Sequence, residues 1–383
     1  MKVFFRRIHL YLGLAAGLVI MVTCFTGAVL VFEPELQMLF HKERYIVAVS
    51  GIQKPLKDLQ SSLKVRVPGV KINGVKWYND RARSVEFSYA LPEKSNPGDN
   101  KKGKKGEGGA GGRKTAFINP YTAEVIALYN YQDSFFFSMM SLHRWLLKGD
   151  TGKLIVGMAT LVFLVILVTG IILWWPKTRN IMRQRLTLKW DAGWKRVNHD
   201  LHLVLGFYSA IFLFVFAFTG LAWSFEWFNK GIYTVTNSSM QGAKPPVIAI
   251  KAGTDQVGPD EVLATVKAAD PSAVVYSINQ PKDSTAPFSV NVLRNNATHE
   301  SATDNYFVDR YSASLAGVVR WEDRNLGQRV RATFKPVHIA SIFGLPSKII
   351  GFIVCLLGTT FPITGVIMWL NRTWKKNKKP VSV

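Results

Sequence analysis

The chain has 383 residues, 48% of them hydrophobic, and 48 Lys and Arg against 25 Asp and Glu give it a formal net charge of +23. Its two cysteines, Cys24 and Cys355, both lie inside apolar runs, which excludes a disulfide framework and a thiolate metal site. The basic residues cluster beside apolar segments, so the charge points to a membrane surface and no nucleic acid is expected as a partner.

In chain order, residues 1–34 carry the first apolar run, 8–32, behind Lys2, Arg6 and Arg7. The basic start is that of a secretory signal. However, the run is too long and no small-x-small cleavage site precedes Glu33-Pro34-Glu35, so an uncleaved membrane anchor is expected. Residues 35–140 form a long polar loop with a predicted helix at 56–65 and predicted strands at 69–77, 84–89, 115–118 and 125–129, a small α+β domain. Within it, the Lys/Gly-rich insert 95–114 cannot bury enough apolar surface to order itself and is expected to be a solvated, flexible extension.

Residues 141–176 hold a short apolar segment around His143, a break at Gly149-Asp150-Thr151-Gly152, and a second run at 154–175. A basic loop, 177–198, leads to the third segment, 199–228, with its run at 203–227. The second long loop, 229–333, repeats the order of the first, with a predicted helix at 259–268, strands at 273–278 and 288–293, and then a stretch, 307–312, that echoes 117–122. Residues 334–371 carry His338, a break at Gly344-Leu345-Pro346 and a fourth run at 349–370, before the basic tail 372–383.

Each run has at least the roughly 20 residues needed to cross a bilayer, and none is charged except for Glu226 at the very end of the third. Lys and Arg concentrate at the amino terminus, the central loop and the tail. The positive-inside rule therefore puts these on the cytoplasmic side and both long loops outside.

The chain also repeats itself. His9-Leu-Tyr-Leu-Gly13 recurs as His202-Leu-Val-Leu-Gly206, and the same offset of 193 carries Phe25-Thr26-Gly27 onto Phe218-Thr219-Gly220. At an offset of 195, His143 falls on His338, Thr169-Gly170 on Thr364-Gly365 and Trp174 on Trp369. An internal duplication is inferred, with two marked histidines per half.

Matched positions in a duplicated bundle face one axis, so His9 and His202 are expected to pair at the cytoplasmic level and His143 and His338 at the outer level. Facing imidazoles in a bundle core are a way to hold a haem iron or another metal. A structural zinc site would need four protein ligands, and each level offers two. The bland reading for any single histidine is an interfacial anchor.

His199 shares a helical face with His202, but its counterpart is Arg6, which makes it an alternative inner ligand or a propionate partner. Arg7, Arg144, Arg196 and Arg331 are candidates for pairing with haem propionates, against the plain alternative of snorkelling to headgroups. His41 and His299 have no counterparts and read as surface residues. The repeated glycines are read as sites of close helix or macrocycle approach.

Through His9-Leu-Tyr-Leu-Gly, Asp200-Leu-His202-Leu-Val-Leu-Gly206, Leu142-His143-Arg144-Trp145 and Val337-His338-Ile-Ala-Ser-Ile-Phe-Gly344, the sequence resembles the PepSY-associated transmembrane family over nearly its whole length. The resemblance implies a membrane α-helical protein of the bacterial inner membrane: a four-helix bundle with two small α+β PepSY-like periplasmic domains. Because members include di-haem ferric-siderophore reductases, it further implies two haem b groups held by His9, His202, His143 and His338.

The expected activity is therefore reduction of a periplasmic ferric siderophore or other ferric chelate, with electrons from a quinol or a cytoplasmic reductase. The rival is a haem-free sensor or binding protein at the periplasmic face. A transporter is disfavoured because the spans lack internal charges.

Overall fold

The computed structural model describes residues 1–91, 114–251, 253–281 and 283–377. The expected insert at 95–114 lies outside the described residues except for Lys114, and so do the last residues of the basic tail.

The chain opens with helix α1 (Lys2–Val31), followed by α2 (Glu33–Phe40), α3 (Lys42–Tyr45) and α4 (Leu56–Arg66). Strands β1 (Lys71–Tyr78), β2 (Val85–Ala90), β3 (Lys114–Ile118) and β4 (Val125–Asn130) come next. Helices α5 (Phe135–Trp145), α6 (Gly149–Trp174), α7 (Arg179–Leu186) and α8 (Trp194–Asp200) follow, then a π-helical turn, Leu201–Leu205, that runs into α9 (Gly206–Ser224). After α10 (Glu226–Val235) and α11 (Pro259–Ala269) lie β5 (Ala273–Asn279), β6 (Phe288–Arg294), β7 (Asp304–Val308) and β8 (Leu315–Val319). Helices α12 (Leu326–His338) and α13 (Leu345–Asn377) complete the chain.

Two compact units result. One comprises Met1–Glu33, Ser138–Val235 and Thr333–Val383. Four of its helical stretches are long and apolar enough to cross a membrane: Lys2–Val31, Gly149–Trp174, Trp194–Ser224 and Leu345–Thr373. They form a ring in which α1 packs on α6 and α13, and α9 packs on the same two helices.

The inner faces use small side chains, Ala16, Gly17 and Ala28 of α1 and Ala210, Ala217 and Ala222 of α9 among them, while Leu18, Phe25, Ile211 and Phe212 point outward. Without a hydrophobic drive between helices in lipid, such close contacts are what hold a bundle together. At Gly17, an added methyl would meet Pro362 Cβ of α13 at 3.2 Å.

The break expected at 149–152 falls slightly earlier. Leu146 and Leu147 take positive φ, and Gly149 already opens α6. In the second half, Ala340 and Gly344 take positive φ before α13.

The other unit, Pro34–Phe137 with Thr236–Ala332, is built on one antiparallel eight-stranded sheet in the order β4-β3-β2-β1-β5-β6-β7-β8. The two α+β segments are thus not free-standing. Strand β1 pairs with β5, with Trp77 opposite Tyr276 and Val75 opposite Ile278, and a single core crosses the junction.

Period-two alternation buries Val85, Phe87 and Tyr89 of β2 and Phe288, Val290 and Val292 of β6 on one face. Helices α4 and α11 cover that face through Leu56, Leu59 and Leu63, and Val262, Leu263 and Val266. Asp260 links the two helices, because its carboxylate accepts the Leu56 and Lys57 amides at 2.6 and 2.9 Å and so caps the start of α4. Sequence reading missed β8, whose Leu-Ala-Gly-Val-Val lacks alternation, while the echoing stretches 117–122 and 307–312 each prove to be a strand end, Ile118 or Val308, followed by a turn.

Candidate functional site

The four marked histidines are held in one way. His9 of α1 brings Nδ1 within 3.1 Å of both the Ile166 carbonyl and the Thr169 hydroxyl on α6. His143 of α5 contacts the Thr23 carbonyl at 2.9 Å and the Thr26 hydroxyl at 3.2 Å on α1. His338 of α12 contacts the Phe216 carbonyl at 2.9 Å and the Thr219 hydroxyl at 3.1 Å on α9. His202, in the π-helical turn, contacts the Thr364 hydroxyl at 2.8 Å and the Phe361 backbone, both on α13.

This arrangement fixes the tautomer. A carbonyl only accepts, so the Nδ1 of His9, His143 and His338 carries the proton. The four threonine hydroxyls spend their own hydrogens on carbonyls of their own helices, Thr364 on Thr360 or Phe361 at 3.1 Å, and so each also accepts from the imidazole. Nε2 is left as the unprotonated nitrogen in all four rings. A second partner holding one ring nitrogen while the other ligates is the usual support of a metal-bound histidine.

The glycine after each threonine completes the cradle. A methyl added at Gly27, Gly170, Gly220 or Gly365 would stand 3.2, 3.2, 3.1 or 3.4 Å from the Cε1 of His143, His9, His338 or His202. Each histidine therefore docks within its own half of the chain.

The rings meet across the halves. His9 and His202 have centroids 6.3 Å apart with planes at 83°, and His143 and His338 have centroids 6.0 Å apart at 61°. Two metal–imidazole bonds of about 2.0–2.1 Å, with roughly 1.1 Å from nitrogen to ring centre on either side, put centroids about 6.3 Å apart. The spacing suits one ion between each pair. Among the described residues no three His, Cys, Asp or Glu side chains converge on a metal position, so each pair could offer two protein ligands and no more. That donor set fits a haem iron, whose other four positions belong to the macrocycle, better than zinc.

From His9 to Thr26 along α1, and from His202 to Thr219 along the α9 rod, is 17 residues, or about 25 Å at 1.5 Å per residue. That is shorter than the full span, because His143 and His338 dock a turn inside the ends of α1 and α9. Trp223 packs on His338 at 5.3 Å and Phe361 on His202 at 5.7 Å.

The remaining sequence candidates are placed as follows. His199 turns its Nδ1 to Asp200 at 3.2 Å, and the ring facing His9 is that of His202. Arg196 directs Nε to the same carboxylate at 2.8 Å. Arg7 is exposed on α1, Arg144 is half-buried against the Trp145 ring at 5.5 Å, and Arg331 lies on α12 seven residues before His338. In the sheet unit, His41 sits 3.5 Å from Glu43, and the His299 ring packs on Trp321 at 5.2 Å.

Sequence reading recorded the Thr-Gly pairs but took the glycines as sites of close helix or macrocycle approach, with no contact to the histidines, and gave the threonines no role. The usable signal was spacing: Thr26 and Thr219 each follow the first histidine of their half by 17 residues, and Thr169 and Thr364 each follow the second by 26.

Curated proteins yield no match to the chain. The family model of the PepSY-associated TM region matches residues 6–372, nearly the whole chain, and the protein belongs to that family.

Proposed function

We propose that this protein is a di-haem b electron conduit of the bacterial inner membrane that reduces a ferric siderophore, or another ferric chelate, in the periplasm. The observation that carries the reading is the fourfold cradle. Four neutral imidazoles, each held by Nδ1 and each leaving Nε2 free, form two pairs at metal-ligand spacing about 25 Å apart along the bundle. Structural packing alone would not need the same tautomer four times.

Bound between His9 and His202, and between His143 and His338, haem iron would supply one-electron transfer across the membrane. The chain's own part is to fix the rings, hold the protons on Nδ1 and wall off water with apolar helices. Hard oxygen ligands hold Fe(II) less tightly than Fe(III), so one-electron reduction frees the iron of a chelate without destroying the chelator. Basic residues at both termini and in the central loop support a cytoplasmic side for these segments. The matched offsets and the paired cradles support origin by duplication, with α4–β4 and α11–β8 as the two PepSY-like copies.

The test is the absorption spectrum of detergent-purified protein, oxidised and dithionite-reduced, with a pyridine haemochrome assay. Two b-type haems per chain are expected, and His143→Ala or His338→Ala should each remove one. Protein free of haem after expression with ample haem would favour the periplasmic sensor instead.

A further inference from the structure

One ionised cluster in the bundle has no part in holding the four histidines. Asp200 is only 1% exposed, at the end of α8 within the apolar stretch Trp194–Ser224. Its carboxylate is held by Arg196 Nε, 2.8 Å from Oδ1 and 2.9 Å from Oδ2, and by His199 Nδ1 at 3.2 Å. A buried carboxylate costs several kcal/mol of desolvation and persists only when so paired. In the first half, the matched positions are Arg6 and Arg7, and α1 runs without a π-turn. The repeat has therefore acquired this device once.

Resting on the reading of His9 and His202 as a one-electron site, we propose that His199, oriented by Asp200, is the proton acceptor of a docking site for a lipid-soluble hydroquinone, the protein's electron donor.

The geometry supplies each requirement. Because a carboxylate only accepts, the His199 proton is on Nδ1, which leaves Nε2 with a lone pair. The side chain is 45% exposed, and among the described residues Asp200 is the one hydrogen-bond partner of its ring. His199 stands three residues, or about 4.5 Å of helix rise, from His202. The neighbouring Asn198 donates Nδ2 to the Thr364 carbonyl at 3.2 Å, on the same residue whose hydroxyl holds His202. The π-turn Leu201–Leu205 directly follows the cluster, and such turns recur at functional sites.

The chemistry selects the donor class. A hydroquinone gives up two electrons and two protons, and inside a membrane its hydroxyl needs a base. A one-electron protein, which brings no protons, would leave this imidazole without a role. The two electrons would leave one at a time, to a one-electron acceptor that His9 and His202 would hold and that would pass the first on before taking the second. One proton goes to His199 Nε2 and the second to water, and the quinone departs.

Anaerobic stopped-flow reduction of the purified holoprotein by decylubiquinol tests this. Fast haem reduction is expected in the wild type. His199→Gln should slow it by about 10²-fold or more, the usual worth of a positioned base, with haem content and dithionite-reduced spectrum unchanged. His199→Ala should regain rate with added imidazole, which a merely structural role would not produce. An azidoquinone should label residues 194–203, including in protein prepared without haem, so the site is judged even if the haem reading fails. An undiminished rate in His199→Gln, labelling elsewhere, or wild-type haems reduced by a soluble reduced flavin and not by the quinol would each overturn the proposal.

Discussion

In the amino-terminal half, His9 docks on Ile166 and Thr169 and His143 on Thr23 and Thr26. In the carboxy-terminal half, His202 docks on Thr364 and His338 on Phe216 and Thr219. These cradles use the same atoms, yet the polar supports around them differ. The second half alone has Asp200 and the π-turn. Its share of the sheet is pinned by Asp270, Arg294 and Asp304, where the first half uses Arg83 between the rings of Tyr45 and Tyr78. What both halves keep marks what the pairs of rings need, and what one half adds marks work done once per chain.

The largest expected effect attacks the shared part. A Val at Gly220 would set Cβ 3.1 Å from His338 Cε1 and add two methyls beyond it, against an imidazole already fixed by two acceptors. Gly220→Val should lose one haem per chain by pyridine haemochrome while the His9–His202 level stays loaded. Gly365→Ala, whose Cβ would stand at an ordinary 3.4 Å from His202, should keep both. Equal loss in the two variants would reduce these glycines to helix packing.

Next comes the sheet, where the halves diverge. Arg294 Nε meets Asp270 at 2.7 Å and Nη2 meets Asp304 at 2.6 Å, with both carboxylates buried. Arg294→Met strands two charges and should cost about 3–5 kcal/mol. Arg83→Met loses mainly ring contacts and a 3.7 Å approach to Glu86, about 2 kcal/mol or less. Amide exchange of β5–β7 against β1–β3 measures both, and similar losses would erase the distinction.

A smaller effect separates the cradles themselves. His202 has the shortest hydroxyl contact, 2.8 Å to Thr364, whereas the Thr26 hydroxyl stands 3.2 Å from His143, the longest of the four. Thr364→Val should weaken haem retention at its level by about 10–100-fold, the range for such supporting partners. Thr26→Val should fall below that range, as read by transfer of haem to apomyoglobin.

Much of this was legible in the sequence, for identifiable reasons. Spans declare themselves through uninterrupted apolar length, and the histidines through repetition at 193 and 195. The junction of the two α+β segments was not legible, because β1 and β5 look like any half-buried strands and nothing local says which edges pair. Asp200 was also missed. A carboxylate beside a basic loop reads as surface, and its burial depends on the approach of α13. The choice between His199 and His202 turned on the same tertiary fact.

The mildest test uses pH. Burial pushes the Asp270 carboxyl upward, but hydrogen bonds from Ser272 at 2.6 Å, Arg294 and Tyr306 outweigh it and hold the group below the usual carboxylate value of 3.8. A carboxylate held low in the folded state stabilises fully above its unfolded value and loses that contribution as pH falls through the folded one. The urea midpoint of β5–β7, followed by amide exchange, should therefore be flat near neutrality and drop below about pH 4. Asp270→Asn should start lower and lose most of that slope. Asp309, pushed up by burial but held low because the Tyr311 and Ser312 amides and the nearby Lys251 together outweigh that push, would leave a residue of it. An unchanged slope in Asp270→Asn would move the acid sensitivity of the second half away from the buried network and onto its surface turns.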